Sequence, residues 1–172
     1  MTALEWQMAV DYSLDEVLAM AEQIERNGAR FYRLAAGLGT DLAVRAVLEN
    51  LAAWEEGHEG IFAKMRRDLT PEELSLPAFD PDGVGETYLR AVADQQVFRP
   101  GKEPEQLLSG NEAPEDVIRI ALNFERDAIL FFLGMRDVVP DRLGKHHIQD
   151  LIDEEVRHVA YLGEELRRLA QA

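Results

Sequence analysis

The chain has no cysteine, which excludes a disulfide framework and any thiolate-held metal or redox group. A metal bound here must be held by carboxylate and imidazole. Long apolar runs are missing too, since no stretch approaches the roughly 18 uncharged residues that a membrane span needs. Basic charge is scarce: 18 lysines and arginines stand against 33 aspartates and glutamates, a formal net charge of −15. Such a surface repels phosphate, so a nucleic-acid partner is not expected. The opening MTALEWQMAVDYSLDE is acidic where a signal peptide would be basic, so a cytoplasmic location with no membrane contact is expected.

What is present is globular. With 47% hydrophobic and 30% charged residues over a length of 172, the chain can build one domain with a real core, and a single domain over 1–172 is expected. Nothing reads as a strand. A first helix should begin at SLDE, where Ser13 and Glu16 can form a capping box, and end at the glycines near 38. A second should run over about 41–68, a third over about 114–137 from Pro114, and a fourth over about 140–169. Between the second and third lies a crossover, 69–113, dense in proline and glycine. It holds a short turn at Thr70, Pro71 and Glu73 and a short extra helix at ETYLRAVADQQVF. Two helical hairpins joined by a long crossover make an all-α four-helix bundle.

Each helix carries an apolar stripe at spacings of three and four. In the second it is Val44, Leu48, Leu51, Glu55, His58, Phe62 and Met65; in the fourth, Ile148, Leu151, Glu155, His158, Leu162 and Leu169. The first has Leu14, Leu18, Ala21, Glu25, Gly28, Tyr32 and Ala35, and the third Ile118, Ala121, Glu125, Ala128, Phe132 and Met135. Every stripe is interrupted near its middle by a carboxylate. The halves match by number: adding 100 takes Glu25 to Glu125, Glu55 to Glu155 and His58 to His158, and IERNGARFY aligns with FERDAILFF. A duplicated hairpin with approximate two-fold symmetry would bring four glutamates and two histidines to one level of the bundle.

Four uncompensated buried carboxylates are not tolerable, because desolvation and mutual repulsion are both costly. A pair of metal ions resolves the problem. Glu-x-x-His places carboxylate and imidazole on one helix face. Two such pairs with one glutamate from each remaining helix is the known ligand pattern of di-iron and di-manganese bundles. Carboxylate with imidazole suits iron or manganese, and zinc accepts the same donors, whereas magnesium rarely recruits histidine. The neighbouring polar residues read differently. Glu22 is one turn before Glu25 and could be a seventh ligand, but its counterpart is Leu122, which favours a solvated or supporting role. Glu56, Glu59 and Glu154 adjoin the ligands in sequence but point off the stripes, which favours exposed positions or positions supporting a ligand, and His146 and His147 lie far from the charged level, which favours the surface. Tyr32 could donate a hydrogen bond to a ligand carboxylate, which its counterpart Phe132 cannot, or simply pack. Trp54 reads as cover for a neighbouring helix.

The segments AEQIERNGARFY, WEEGH, ALNFERDAILFF and DEEVRH resemble the metal-binding helices of the rubrerythrin family, within the ferritin-like superfamily. The crossover YLRAVADQQVF resembles that of its rubredoxin-free branch, and the likeness runs from about Leu14 to Leu169. The resemblance implies a ferritin-like bundle with two iron ions held by Glu25, Glu55, His58, Glu125, Glu155 and His158. Glu55 and Glu155 would bridge, and Glu25 and Glu125 would be terminal. It also implies reduction of hydrogen peroxide to water, with peroxide or dioxygen as oxidant. Full-length rubrerythrins add a cysteine-ligated iron that delivers electrons; this chain lacks cysteine, so an external electron donor protein is implied. Rubrerythrins proper also carry a further third-helix glutamate, whereas one turn either side of Glu125 lie Leu122 and Ala128. Ferrous-iron oxidation for storage or handling is the competing expectation, and a non-catalytic bundle a third. A homodimer is expected by resemblance.

Overall fold

Residues 13–38, 41–75 and 106–171 are described by the structure, a computed structural model. Four long helices dominate: α1 (Leu14–Leu38), α2 (Leu42–Arg67), α3 (Pro114–Val138) and α4 (Lys145–Leu169). No β-strand occurs among the described residues. The extra helix expected over 86–98 lies outside the described residues, as does most of the crossover.

The helix ends follow from local chemistry. Ser13 Oγ accepts the Glu16 backbone N–H at 3.2 Å while the Glu16 carboxylate accepts the Ser13 N–H at 2.7 Å, closing the capping box. Asp41 caps α2 by accepting the N–H groups of Ala43 and Val44, each at 2.9 Å. Pro114 occupies the start of α3, where its missing N–H costs nothing. The fourth helix starts later than its expected position near 140. Asp141–Leu143 forms a 3-10 turn, and Gly144 then takes φ 92°, a left-handed conformation that an α-helix cannot contain. A Cβ at Gly144 would also meet the exposed His147 side chain at 2.7 Å, which could swing aside, so it is the positive φ that calls for glycine at this corner. Glu73 ties this corner to the end of α2: its carboxylate accepts the Thr70 N–H at 2.8 Å and pairs with Arg142.

Helix α1 packs chiefly on α2 and α3 on α4, and the hairpins meet through α1 with α3 and α2 with α4. The stripes zip together into two apolar clusters. One contains Leu18, Phe62, Phe131, Phe132, Met135 and Ile148; the other contains Phe31, Leu48, Leu51, Ile118 and Leu162, all essentially without solvent exposure. Each such side chain contributes about 1.5–3 kcal/mol by burial. Between the clusters lies the level of Glu25, Glu55, Glu125 and Glu155 with His58 and His158, each no more than 5% exposed. No helix among the described residues is long and apolar enough to cross a membrane.

Candidate metal centre

All six residues singled out by the stripes converge. Glu25, Glu55, His58 and Glu155 offer ligand atoms within 4.8 Å of one another, and so do Glu55, Glu125, Glu155 and His158. Glu55 and Glu155 belong to both groups. His58 Nδ1 lies 2.9 Å from Glu155 Oε1, 3.4 Å from Glu55 Oε2 and 3.5 Å from Glu25 Oε2. His158 Nδ1 lies 3.0 Å from Glu155 Oε2, 3.5 Å from Glu125 Oε2 and 3.8 Å from Glu55 Oε1. The imidazoles face one another nearly parallel, 5.7 Å between centroids. Each helix supplies its share through periodicity: one turn separates glutamate from histidine on α2 and α4, and a single glutamate comes from α1 and α3.

The electrostatics show how strongly this arrangement wants positive charge. Burial, reinforced by the charge of Glu25, pushes Glu55 well above the usual carboxylate range. Burial likewise raises Glu125, which shares a hydrogen bond with Glu155, and raises Glu25. Burial would also raise Glu155, but the Glu125 carboxyl and the two imidazoles lying against it hold it well below that range. For the histidines, burial opposes protonation, yet the surrounding carboxylates win. His158 rises to about 10 and His58 is raised further. In the metal-free protein, then, protons do the neutralising. With both imidazoles charged and two of the four carboxyls protonated the cluster is electrically neutral. Two divalent ions with neutral imidazoles and ionised carboxylates reach the same balance. The donor set fits such ions on a second count: Glu25 Oε1 is fully buried without a hydrogen-bond partner, and His58 Nδ1 and Glu155 Oε1, although 2.9 Å apart, are buried without a well-aligned one. Orphaned buried donors and acceptors cost about 1–3 kcal/mol each unless something binds them.

Three neighbours complete the site. Tyr32 O–H donates to Glu125 Oε1 at 2.5 Å, and burial followed by the charge of Glu125 keeps the phenol firmly protonated. Glu154 Oε2 lies 2.8 Å from His58 Nε2, so an imidazole offering Nδ1 to the centre donates its other N–H to this carboxylate. Trp54 stacks on the His158 ring, 4.9 Å between centroids at 10°, instead of merely covering a helix. The contact between Glu154 and His58 is invisible to stripe reasoning because Glu154 points off its own stripe. The numerical repeat could have flagged it, since positions 54 and 154 correspond and differ in chemistry. The other tempting residues stay away. Glu22 pairs with Arg66 at 3.2 Å, Glu56 with Arg33 and Glu59 with Arg26, and His146 and His147 are exposed on the outside of α4. A cavity of about 20 Å³ abuts the centre, walled by Glu25, Gly28, Tyr32, Glu55 and Glu125 among others.

No protein-family model matches the chain, and no curated protein matches it. A crystal structure from Thermotoga maritima, provisionally described as a ferritin-like diiron-carboxylate protein, is similar with a TM-score of 0.70 at 23% sequence identity. The match covers 91% of this chain and 96% of that one. The chain therefore has the ferritin-like helical-bundle fold.

Proposed function

We propose that this chain is a di-iron carboxylate redox protein of rubrerythrin type that reduces hydrogen peroxide to water, with electrons from an external donor. The observation that carries the reading is the pair of overlapping buried ligand groups sharing Glu55 and Glu155. The donor chemistry favours iron or manganese, and the diiron description of the Thermotoga maritima protein favours iron. A ferrous pair held by Glu25, Glu55, His58, Glu125, Glu155 and His158 would supply two electrons and Lewis acidity toward an oxygen ligand.

The chain's own residues shape the space beside the centre. The cavity beside Glu25, Glu55 and Glu125 has room for about one water-sized molecule, a scale that favours a small oxygen species such as peroxide or dioxygen on that side. Gly28 keeps that space open, since a Cβ there would stand 3.4 Å from Glu55 Cγ. Tyr32 Oη holds a proton at the cavity wall. Reduction of peroxide consumes two electrons and two protons, breaks the O–O bond and releases two waters. The electrons come from outside because the chain has no cysteine with which to hold a rubredoxin-type iron.

The test is stopped-flow absorbance of anaerobic, ferrous-loaded protein mixed separately with peroxide and with air-saturated buffer, after metal has been counted. Two irons per chain and much faster oxidation by peroxide are expected. Fast oxidation by dioxygen with continued uptake of ferrous iron would replace the peroxidase reading with ferroxidase chemistry. A chain that binds no iron would overturn both.

A further inference from the structure

We infer that the two metal positions are unequal, and that the half built on Glu25 and His58 holds its ion more tightly than the half built on Glu125 and His158. The inference rests on the metal reading above. The ligand types of the halves are identical, so the difference must come from what surrounds them.

Two independent contacts push in the same direction. The first concerns the histidines. His58 has the Glu154 carboxylate 2.8 Å from Nε2, which fixes the tautomer that presents Nδ1 to the metal and makes that nitrogen a better donor. The position that corresponds to Glu154 in the other half is Trp54, whose indole has no acceptor to offer an imidazole N–H; it stacks on the His158 ring instead. The second concerns the terminal glutamates. Glu125 Oε1 already accepts the Tyr32 hydroxyl at 2.5 Å, which draws electron density away from a would-be ligand oxygen. Glu25 faces no such donor from the corresponding Phe132, and its Oε1 is buried without a partner. One half thus has a strengthened imidazole and a terminal glutamate free of a phenol donor, while the other has an unsupported imidazole and a terminal glutamate with one oxygen already committed.

Repulsion between two divalent ions would separate the binding steps in any symmetric centre, so the content of the inference is which half fills first. Glu154 is a positioning residue, half exposed, and its replacement should leave the fold intact. The experiment is cobalt(II) titration of the metal-free full chain, followed by calorimetry and by the visible d–d bands, with circular dichroism to check folding. Wild type should bind in two steps. Glu154→Gln should weaken the first step by about tenfold or more, the usual cost of losing such a support, and leave the second within about twofold. Trp54→Glu should tighten the second step by giving His158 the partner it lacks. Tyr32→Phe should also tighten the second step and leave the first unchanged.

Two equal, independent steps in wild type would overturn the inference. So would a Glu154→Gln protein that binds like wild type or loses both steps alike, or a His158→Ala protein that loses the tight step while His58→Ala keeps it. Failure of wild type to bind cobalt at all would instead overturn the metal reading beneath it.

Discussion

The charged level at the middle of the bundle and the apolar layers on either side of it are built from the same helices by opposite rules. In the layers, Phe62 against Phe132 and Phe31 against Phe124 fill space with little chemistry to satisfy. In the level between them, six ionisable groups are almost entirely buried, and several of their polar atoms lack a partner. The difference teaches where stability and function are separated in this fold. The layers hold the helices together firmly enough that the middle can be kept in a state that protons satisfy only partly and that two divalent ions would satisfy better.

The largest effect should come from a layer and leave the level alone. Phe62→Ala removes a fully buried ring and is expected to cost about 3–5 kcal/mol in urea unfolding, with metal stoichiometry unchanged. Metal acts from the other side. Ferrous or cobalt ion at about a hundred times its dissociation constant should stabilise the protein by about 2.7 kcal/mol, and in weakly buffered solution binding should release imidazolium and carboxyl protons to an indicator dye.

The same chemistry sets a pH dependence. Glu25, Glu55 and Glu125 titrate above their unfolded value of 4.5, so their stabilisation is present below that pH and is lost as pH rises through the raised values. His158, raised to about 10 from 6.5, contributes fully below 6.5 and loses its contribution on the way to about 10. The Tm of the metal-free protein should therefore fall between about pH 6 and pH 10, and metal should flatten the decline. A rising Tm over that window would contradict the picture of a proton-neutralised cluster.

Smaller changes sharpen the comparison. Tyr32→Phe gives α1 the residue that α3 already has at this level, and should cost about 1.5–2 kcal/mol for a hydrogen bond to a buried carboxylate. Gly28→Ala should change stability by no more than about 1 kcal/mol, because improved helix propensity offsets a tight contact with Glu55. Its readout is kinetic, since the added methyl narrows the cavity and should slow oxidation by peroxide. Glu22→Ala should do least, with metal content unchanged, since Glu22 is held by Arg66 outside the centre. Loss of metal comparable to that of His58→Ala would make Glu22 a ligand after all.

Much of this was legible in the chain. The stripes and caps gave four helices because each depends on neighbours three or four residues away, and the repeat offset of 100 put Glu25, Glu55, His58, Glu125, Glu155 and His158 on one level. The late start of α4 was not legible, because Pro140 is an acceptable helix opener and only the φ of Gly144 reveals a corner. Tyr32 was readable as a donor or as packing, and spacing could not choose between them. Its bond to Glu125 spans 93 residues and depends on how α1 is rotated against α3.

The amino-acid sequence by itself determined the helices, their buried faces and the six residues that meet at mid-bundle, since helical periodicity converts spacing directly into direction. Only the tertiary structure decided which group serves which. Tyr32 reaches Glu125, Glu154 reaches His58 from the opposite hairpin, and Trp54 lies flat on His158. Those contacts are set by the rotation and depth at which two hairpins pack, and by side-chain directions that a shared helical face leaves open.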